Sequence, residues 1–216
     1  MKTASRLLLS ISSSFFLAGT IWATETEQLI FPIQKKWAEI KYEVATKDQA
    51  ELFKALAHDA RKVSETHPGS AEPLIWEGIV ISSEAGVRSG LSALSLAKNA
   101  RDKLLQAIKI NDQALNGSAY TSLATLYAKV PGWPIGFGDN DQAESYFIKS
   151  ISINPNGIDP NYFYGEYLID HGRHQEARKH LEIALKAPAR VGRELADDGR
   201  RKEVRMLLDK LDKDSK

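Results

Sequence analysis

The chain has 216 residues, 43% hydrophobic and 26% charged, with 29 Lys and Arg against 28 Asp and Glu, a formal charge of +1 and no cysteine. Such a balance belongs to a folded domain and excludes a collagen, a mucin-like stalk or a wholly disordered chain. A charge near zero provides no field to draw in nucleic acid or an anionic membrane, and the missing cysteines exclude disulfide frameworks, thiol nucleophiles, thiolate zinc sites, iron–sulfur clusters and a lipidated cysteine.

The first segment pairs Lys2 and Arg6 with an apolar stretch, Leu7 to Leu17, diluted by Ser10, Ser12, Ser13 and Ser14, and then small or neutral residues up to Ala23. That order of charged, apolar and small-residue regions is that of a secretory signal peptide over 1–23, cleaved after Ala23. The run is too short and too polar for a membrane span, which takes about 20 mainly apolar residues. Export to the periplasm or beyond, with no stable membrane anchor after cleavage, is the expectation. Cleavage removes two basic residues and leaves 27 basic against 28 acidic side chains.

From there the apolar spacing is helical. Ile33, Trp37, Ile40 and Val44 mark one stripe, and Leu52, Leu56, Ala60 and Val63 a second, ending before Pro68. Next comes "LIWEGIVI" (Leu74 to Ile81), followed by Ala100, Leu104 and Ala107, with about ten extra residues around Ala85 to Ser95 lengthening the pair of helices. "YTSLATLY" (Tyr120 to Tyr127) opens a third pair, interrupted by the loop "VPGWPIGFGD" (Val130 to Asp139) before "DNDQAESYFIKSISINP". Asp139 with Gln142 three residues on fits a capping box. "NYFYGEYLIDHG" and "RHQEARKHLEIALKAP" form the fourth pair, with Asp159 before Pro160 read as its N-cap and Gly172 as a left-handed stop between its helices. After Gly192 a last helix carries Val204, Leu207, Leu208 and Leu211 on one side, with Arg200, Arg201, Lys202 and Glu203 read as the solvent side.

The second half repeats itself. Ala143, Phe147 and Ser150 align with Ala177, Leu181 and Ala184 at a constant offset of 34 residues, and Gly165 precedes Ala177 by twelve. This resembles the tetratricopeptide repeat, a helix-turn-helix unit with a small eighth residue, Ala at positions 20 and 27 and an apolar residue at position 24. Gly78 and Ala124 fill the eighth position of earlier, interrupted copies. The resemblance implies an all-α fold, a right-handed α-solenoid with repeats at about 33–68, 71–112, 117–157 and 158–191 and a capping helix at about 193–213, which shields the apolar end of the array.

In that family the concave face is built by the first helix of each repeat. The resemblance places there Glu72, Ile75, Trp76 and Ile79, then Ser118, Thr121, Ser122 and Thr125, then Asp159, Tyr162, Phe163 and Glu166. The face has aromatic, hydroxyl and acidic groups and no cation, which excludes the carboxylate-clamp subtype. Trp76, Ile79, Thr121, Thr125, Tyr162, Phe163 and Glu166 are the candidate groove, with inter-helix packing as the other reading of the aromatics. Trp133 and Phe137 in the long loop either contact a ligand or pack to stiffen the turn.

His58, His67, His171, His174 and His180 read as exposed polar residues, since their spacing does not converge on a tetrahedral metal site. Neither a phosphate-binding glycine loop nor a catalytic elbow, nor a metalloprotease helix, occurs. The expectation is therefore a periplasmic interaction or assembly module with no catalytic residues, cofactor or metal, and an unidentified protein as partner. The alternative is a carrier of an apolar small molecule, or an accessory component of a solute transport system. For the latter, the "PGWPIGFGD" and "NPNGIDPNYFYGEYL" stretches are similar to the T component of tripartite ATP-independent periplasmic transporters, although members of that group are commonly lipidated through a cysteine.

Overall fold

A computed structural model describes residues 25–214; the expected signal peptide and its cleavage site lie outside the described residues. Among the described residues the regular structure is helical, in the order α1 (Glu25–Glu43), α2 (Thr46–Thr66), α3 (Ala71–Val87), α4 (Gly90–Ile110), α5 (Ala114–Lys129), α6 (Asn140–Ile153), α7 (Ile158–Asp170), α8 (His174–Lys186) and α9 (Glu194–Asp214). Four antiparallel helix pairs stack side by side, α3 packing on α1, α5 on α3 and α7 on α5, and α9 follows the last pair. The protein is an all-α, tetratricopeptide-like α-solenoid.

Small residues set the spacing within each pair. A Cβ on Gly78 would lie 2.8 Å from Leu104 Cγ, and one on Gly165 would lie 2.9 Å from Leu181 Cγ. Those leucines, with Phe147 in the third pair, are no more than 1% exposed. The eighth and twenty-fourth repeat positions are therefore one contact: a missing side chain on the first helix admits a large one from the second. Extra residues between Gly78 and Leu104 lengthen α3 and α4 without moving this contact, and they turn within Arg88 and Ser89.

Capping follows local chemistry in some places and not in others. Asp139 accepts a hydrogen bond from Gln142 N at 2.9 Å, which anchors the start of α6. Gly172 takes φ +72° between α7 and α8, a conformation open to glycine. Asp159 is not the N-cap of α7: the helix starts one residue earlier, with Gly157 at the cap, and the Asp159 carboxylate serves other partners. The start of α5 is irregular, with Leu115, Asn116 and Gly117 at positive φ.

The first repeat departs most from expectation. Its helix begins at Glu25, ahead of Ile33, and carries Pro32 inside it. On α2 the buried stripe is Gln49, Phe53, Leu56, Ala60 and Ser64; Leu52 is exposed and Phe53 takes the core position. Between the first two pairs sits Glu77, fully buried, bonded to Ser64 Oγ at 2.6 Å and Lys103 Nζ at 3.0 Å, with Arg61 Nε at 3.4 Å.

The capping helix also returns to the beginning of the chain. Tyr42 of α1 donates to Glu203 Oε2 at 3.3 Å, and Lys41 Nζ lies 3.7 Å from Glu203 Oε1. Gly192 and Gly199 leave room for the rings of Phe31 and Tyr42. On the other side Val204 and Leu211 are buried in the core of the last pair. The array thus closes on itself through α9.

Because no side chain fits between α7 and α8 at position 165, Gly165→Val is expected to destabilise the fold by about 2 kcal/mol, within the range for overpacked sites. A urea titration followed by helical circular dichroism will show a lower midpoint at unchanged slope.

Candidate functional site

The concave side holds a cavity of about 820 Å³, half open to solvent and bounded by the first helices of the repeats, parts of α2 and α4, and α9. All of the candidate groove residues, Trp76, Ile79, Thr121, Thr125, Tyr162, Phe163 and Glu166, line it, as do Ser118, Ser122 and Asp159. Glu72 and Ile75 do not, and Ile75 belongs to the core between the second and third pairs. The aromatics divide between roles: Trp76, 5% exposed, and Tyr162, 8% exposed, are core-packed and still border the cavity. Packing and lining are not exclusive for them.

Much of the wall's polar chemistry is internally satisfied. Thr125, Ser82, Ser83 and Ser118 donate to helix carbonyls three or four residues back at 2.7–2.9 Å. Thr121 shares a hydrogen bond with buried Ser150. Trp37 Nε1 donates to Ser83 Oγ at 2.8 Å, and its ring meets Trp76 edge-on at 6.0 Å. These hydroxyls are already bonded within the protein, so the cavity offers fewer free polar groups than its sequence suggests.

The face also carries cations, contrary to expectation: Lys41 from α1, Arg88 between α3 and α4, Lys129 from α5, and Arg193 and Arg200 at α9. Arg200 corrects the reading of α9 as solvent-facing at that position, since its side chain is 5% exposed. Its guanidinium lies over the rings of Tyr162 and Phe163 at 4.3 and 4.4 Å, donates to Asp159 Oδ1 at 2.9 Å and to Glu203 Oε2 at 2.6 Å. Arg190 completes the network, with Asp159 at 2.7 Å and nearly buried Asp197 at 2.6 Å.

Burial works against the Arg200 charge, yet Asp159 and Glu203 hold its pKa above the ordinary arginine value. Burial likewise opposes the Asp159 carboxylate, but Arg190 and Arg200 outweigh it and hold its pKa well below the usual carboxylate range. Tyr162 is pushed up by burial, with Arg200 opposing.

The loop residues separate. Phe137 packs edge-on against Tyr127 at 5.2 Å and under Arg101 at 4.6 Å, whereas Trp133 is 90% exposed. Neither lines the cavity; from this loop Val130, Pro131 and Ile135 do. The loop is held by its own bonds, Gly138 N to Pro131 O at 3.0 Å and Ile135 N to Gly132 O at 3.1 Å. Ile135, 67% exposed, and Leu91, 85% exposed, stand at the cavity rim.

His180 is another correction. It is half-buried, its Nδ1 lies 2.8 Å from Asn161 Oδ1, and its ring abuts Tyr164 at 4.8 Å; burial lowers its pKa, with Glu176 opposing and Arg173 adding to the shift. Asn161 in turn donates to the carbonyls of Pro155 and Gly157, which ties α8 to the start of α7. Among the described residues no three His, Asp or Glu side chains gather as a metal-ligand set, and no helix is long and apolar enough to cross a membrane.

Phe53 on the wall was not singled out by sequence, and Trp37, read as a helical-stripe residue, and the α9 arginines were not placed at the site. Arg200 had a legible signal, since Ala196, Arg200 and Val204 fall on one i, i+4 stripe.

Fold and site together define the class: a tetratricopeptide-like helical repeat protein closed around an interior cavity. Neither protein-family nor curated-protein comparison gives a match for the sequence. Among solved structures the chain is similar to one titled "Crystal structure of MamA", with 21% identity and a TM-score of 0.34 over 65% of this chain and 91% of that one.

Asp159→Asn is expected to cost about 2 kcal/mol at pH 7, less than the 3–5 of a fully dry pair because Asp159 remains 30% exposed. A carboxylate with a lowered folded pKa contributes stability that is complete above its unfolded value near 4 and is lost as pH falls. Urea midpoints of the two proteins will therefore differ at pH 7, begin to approach each other only below about pH 4, and still differ at pH 3, because the folded carboxylate titrates well below the usual range.

Proposed function

We propose that this is an exported, non-catalytic binding module that receives an apolar molecule in its interior cavity. The observation that carries this reading is the cavity itself. Its volume of about 820 Å³ lies within the roughly 300–1,000 Å³ of ligand pockets, and the hydroxyls of Ser82, Ser83, Ser118 and Thr125 are turned to carbonyls of their own helices. The aromatic wall, Trp37, Trp76, Tyr162 and Phe163, supplies contact area, and exposed Leu91 and Ile135 give the rim an apolar character. Asp159 is committed to two arginines, which leaves it a structural group and supports binding without catalysis.

A periplasmic location follows from the expected signal peptide. A carrier there would hand its cargo to, or take it from, a membrane system, which is the sense of the likeness to the transporter T component.

Protein partnership is the second reading, and a separate surface favours it. Trp133 projects from the self-bonded loop with nine-tenths of its surface exposed, a disposition common at protein interfaces. The two readings use different residues and can both hold.

Titration with the neutral fluorophore N-phenyl-1-naphthylamine tests the cavity. Saturable binding near one equivalent, a change in tryptophan emission and a raised Tm are expected. Ser122→Trp, which puts an indole into the space, will weaken binding at least tenfold while circular dichroism stays helical. Absence of saturable binding to the unmodified protein overturns the reading. For the second surface, Trp133→Ser is expected to leave probe affinity unchanged and to abolish pull-down of a stoichiometric periplasmic protein; retention by the variant counts against a role for the loop.

A further inference from the structure

The cations on the cavity wall are matched by carboxylates, with one exception. Arg88 pairs with Glu84 at 2.7 Å and Glu51 at 2.9 Å. Lys129 pairs with Asp170 at 2.8 Å and Glu166 at 3.6 Å. Lys41 and Arg200 share Glu203, and Arg200 also holds Asp159. Arg193 has no ion pair of its own, and its Nε is the buried side-chain polar atom left without a hydrogen-bond partner among the described residues.

An orphaned guanidinium nitrogen in a folded interior is costly, because the water it gives up is not replaced. Here the side chain is held over the Trp76 ring at 5.0 Å, at the junction of α9 with α3, on the cavity wall. Burial, with Arg190 adding like-charge repulsion, lowers its pKa to about 10, and Asp159 and Asp197 compensate only in part. The site is therefore short of one negative charge and at least one acceptor.

We propose that Arg193 is the head-group anchor of the cavity and that the ligand is an amphiphilic monoanion, an organic carboxylate on an apolar body. The planar fork of a guanidinium matches a carboxylate in two parallel hydrogen bonds. A single uncompensated cation balances one negative charge, and the nearby Asp159 and Asp197 carboxylates disfavour a doubly charged phosphate. Trp76 beneath the guanidinium, and Trp37, Ile79, Tyr162 and Phe163 beyond it, receive the apolar body. The ligand supplies the negative charge that the fold withholds from Arg193.

This inference rests on the cavity being the binding site, and the test separates the two. Decanoate and 1-decanol, equal in chain length and different in charge, are titrated against the protein loaded with N-phenyl-1-naphthylamine at pH 7. Decanoate is expected to displace the probe at a concentration at least tenfold lower than decanol. In Arg193→Gln that preference falls to within twofold while decanol is unaffected, and Arg193→Lys, which keeps the charge but not the fork, retains an intermediate preference. Equal displacement by both in the unmodified protein overturns the anion anchor and leaves the apolar cavity standing. Failure of the probe and both amphiphiles to bind overturns both readings. Should Arg193→Gln lose its helical signal, Arg193→Lys and the decanoate-to-decanol ratio of the unmodified protein decide: a ratio near one overturns the anchor.

Discussion

The Arg200 guanidinium is 5% exposed where α9 meets α7 and α1, and a cation buried there must be matched or it will destabilise its surroundings. Asp159 on α7 and Glu203 on its own helix match it. Glu203 also takes a hydrogen bond from Tyr42 of α1. One buried charge thus connects the last repeat, the terminal helix and the first helix. Its faces are covered by Tyr162 and Phe163, the residues that would otherwise stand open on the concave side. Without that network α9 would be an ordinary cap on the fourth repeat; with it, the concave face becomes a deep, half-open cavity.

Enclosure changes the meaning of the residues inside. In an open groove, serines and threonines compete for a peptide's backbone groups. Here Ser82, Ser83, Ser118 and Thr125 bond to carbonyls of their own helices, a habit of hydroxyl side chains within helices. The wall that results is largely aromatic and aliphatic, with its densest charge on the side where α9 meets α1, α3 and α7 and further ion-paired charges at Arg88 and Lys129. An interior with an apolar expanse and one polar edge matches an amphiphile better than it matches an extended peptide, which needs polar partners along its length.

Sequence disclosed the parts of this arrangement that depend on local spacing. Gly78, Ala124 and Gly165 against Leu104, Phe147 and Leu181 are legible because helix pairing demands a small residue opposite a large one at a fixed repeat position. The inward set from Trp76 to Glu166 followed from that register. The first repeat was harder, since Phe53 and Leu52 are adjacent apolar residues and only packing against α3 decides which is buried. Arg200 was misplaced for a different reason: a charged residue in a terminal helix is ordinarily solvated, and its partner Asp159 lies 41 residues away. Closure is a long-range event, and the α1–α9 pairing leaves no periodic trace in the chain.

The seam between the ends differs in kind from the interfaces between repeats. Within and between the helix pairs, contact is made by buried aliphatic and aromatic side chains in three overlapping clusters. At the seam the shared apolar contribution is slight, Ala196 and Leu195 against the first cluster, and most of the specific contact is polar or depends on glycine: Tyr42 and Lys41 on Glu203, Phe31 over Gly192, Tyr42 over Gly199. Polar contacts of this sort contribute direction more than free energy, because each exchanges protein for water partners at small net gain. The repeats therefore account for the stability of the array, and the seam for its shape. Arg193 and Arg200 sit on that seam, so the groups that define the polar edge of the cavity are also those that hold the two ends of the chain in register.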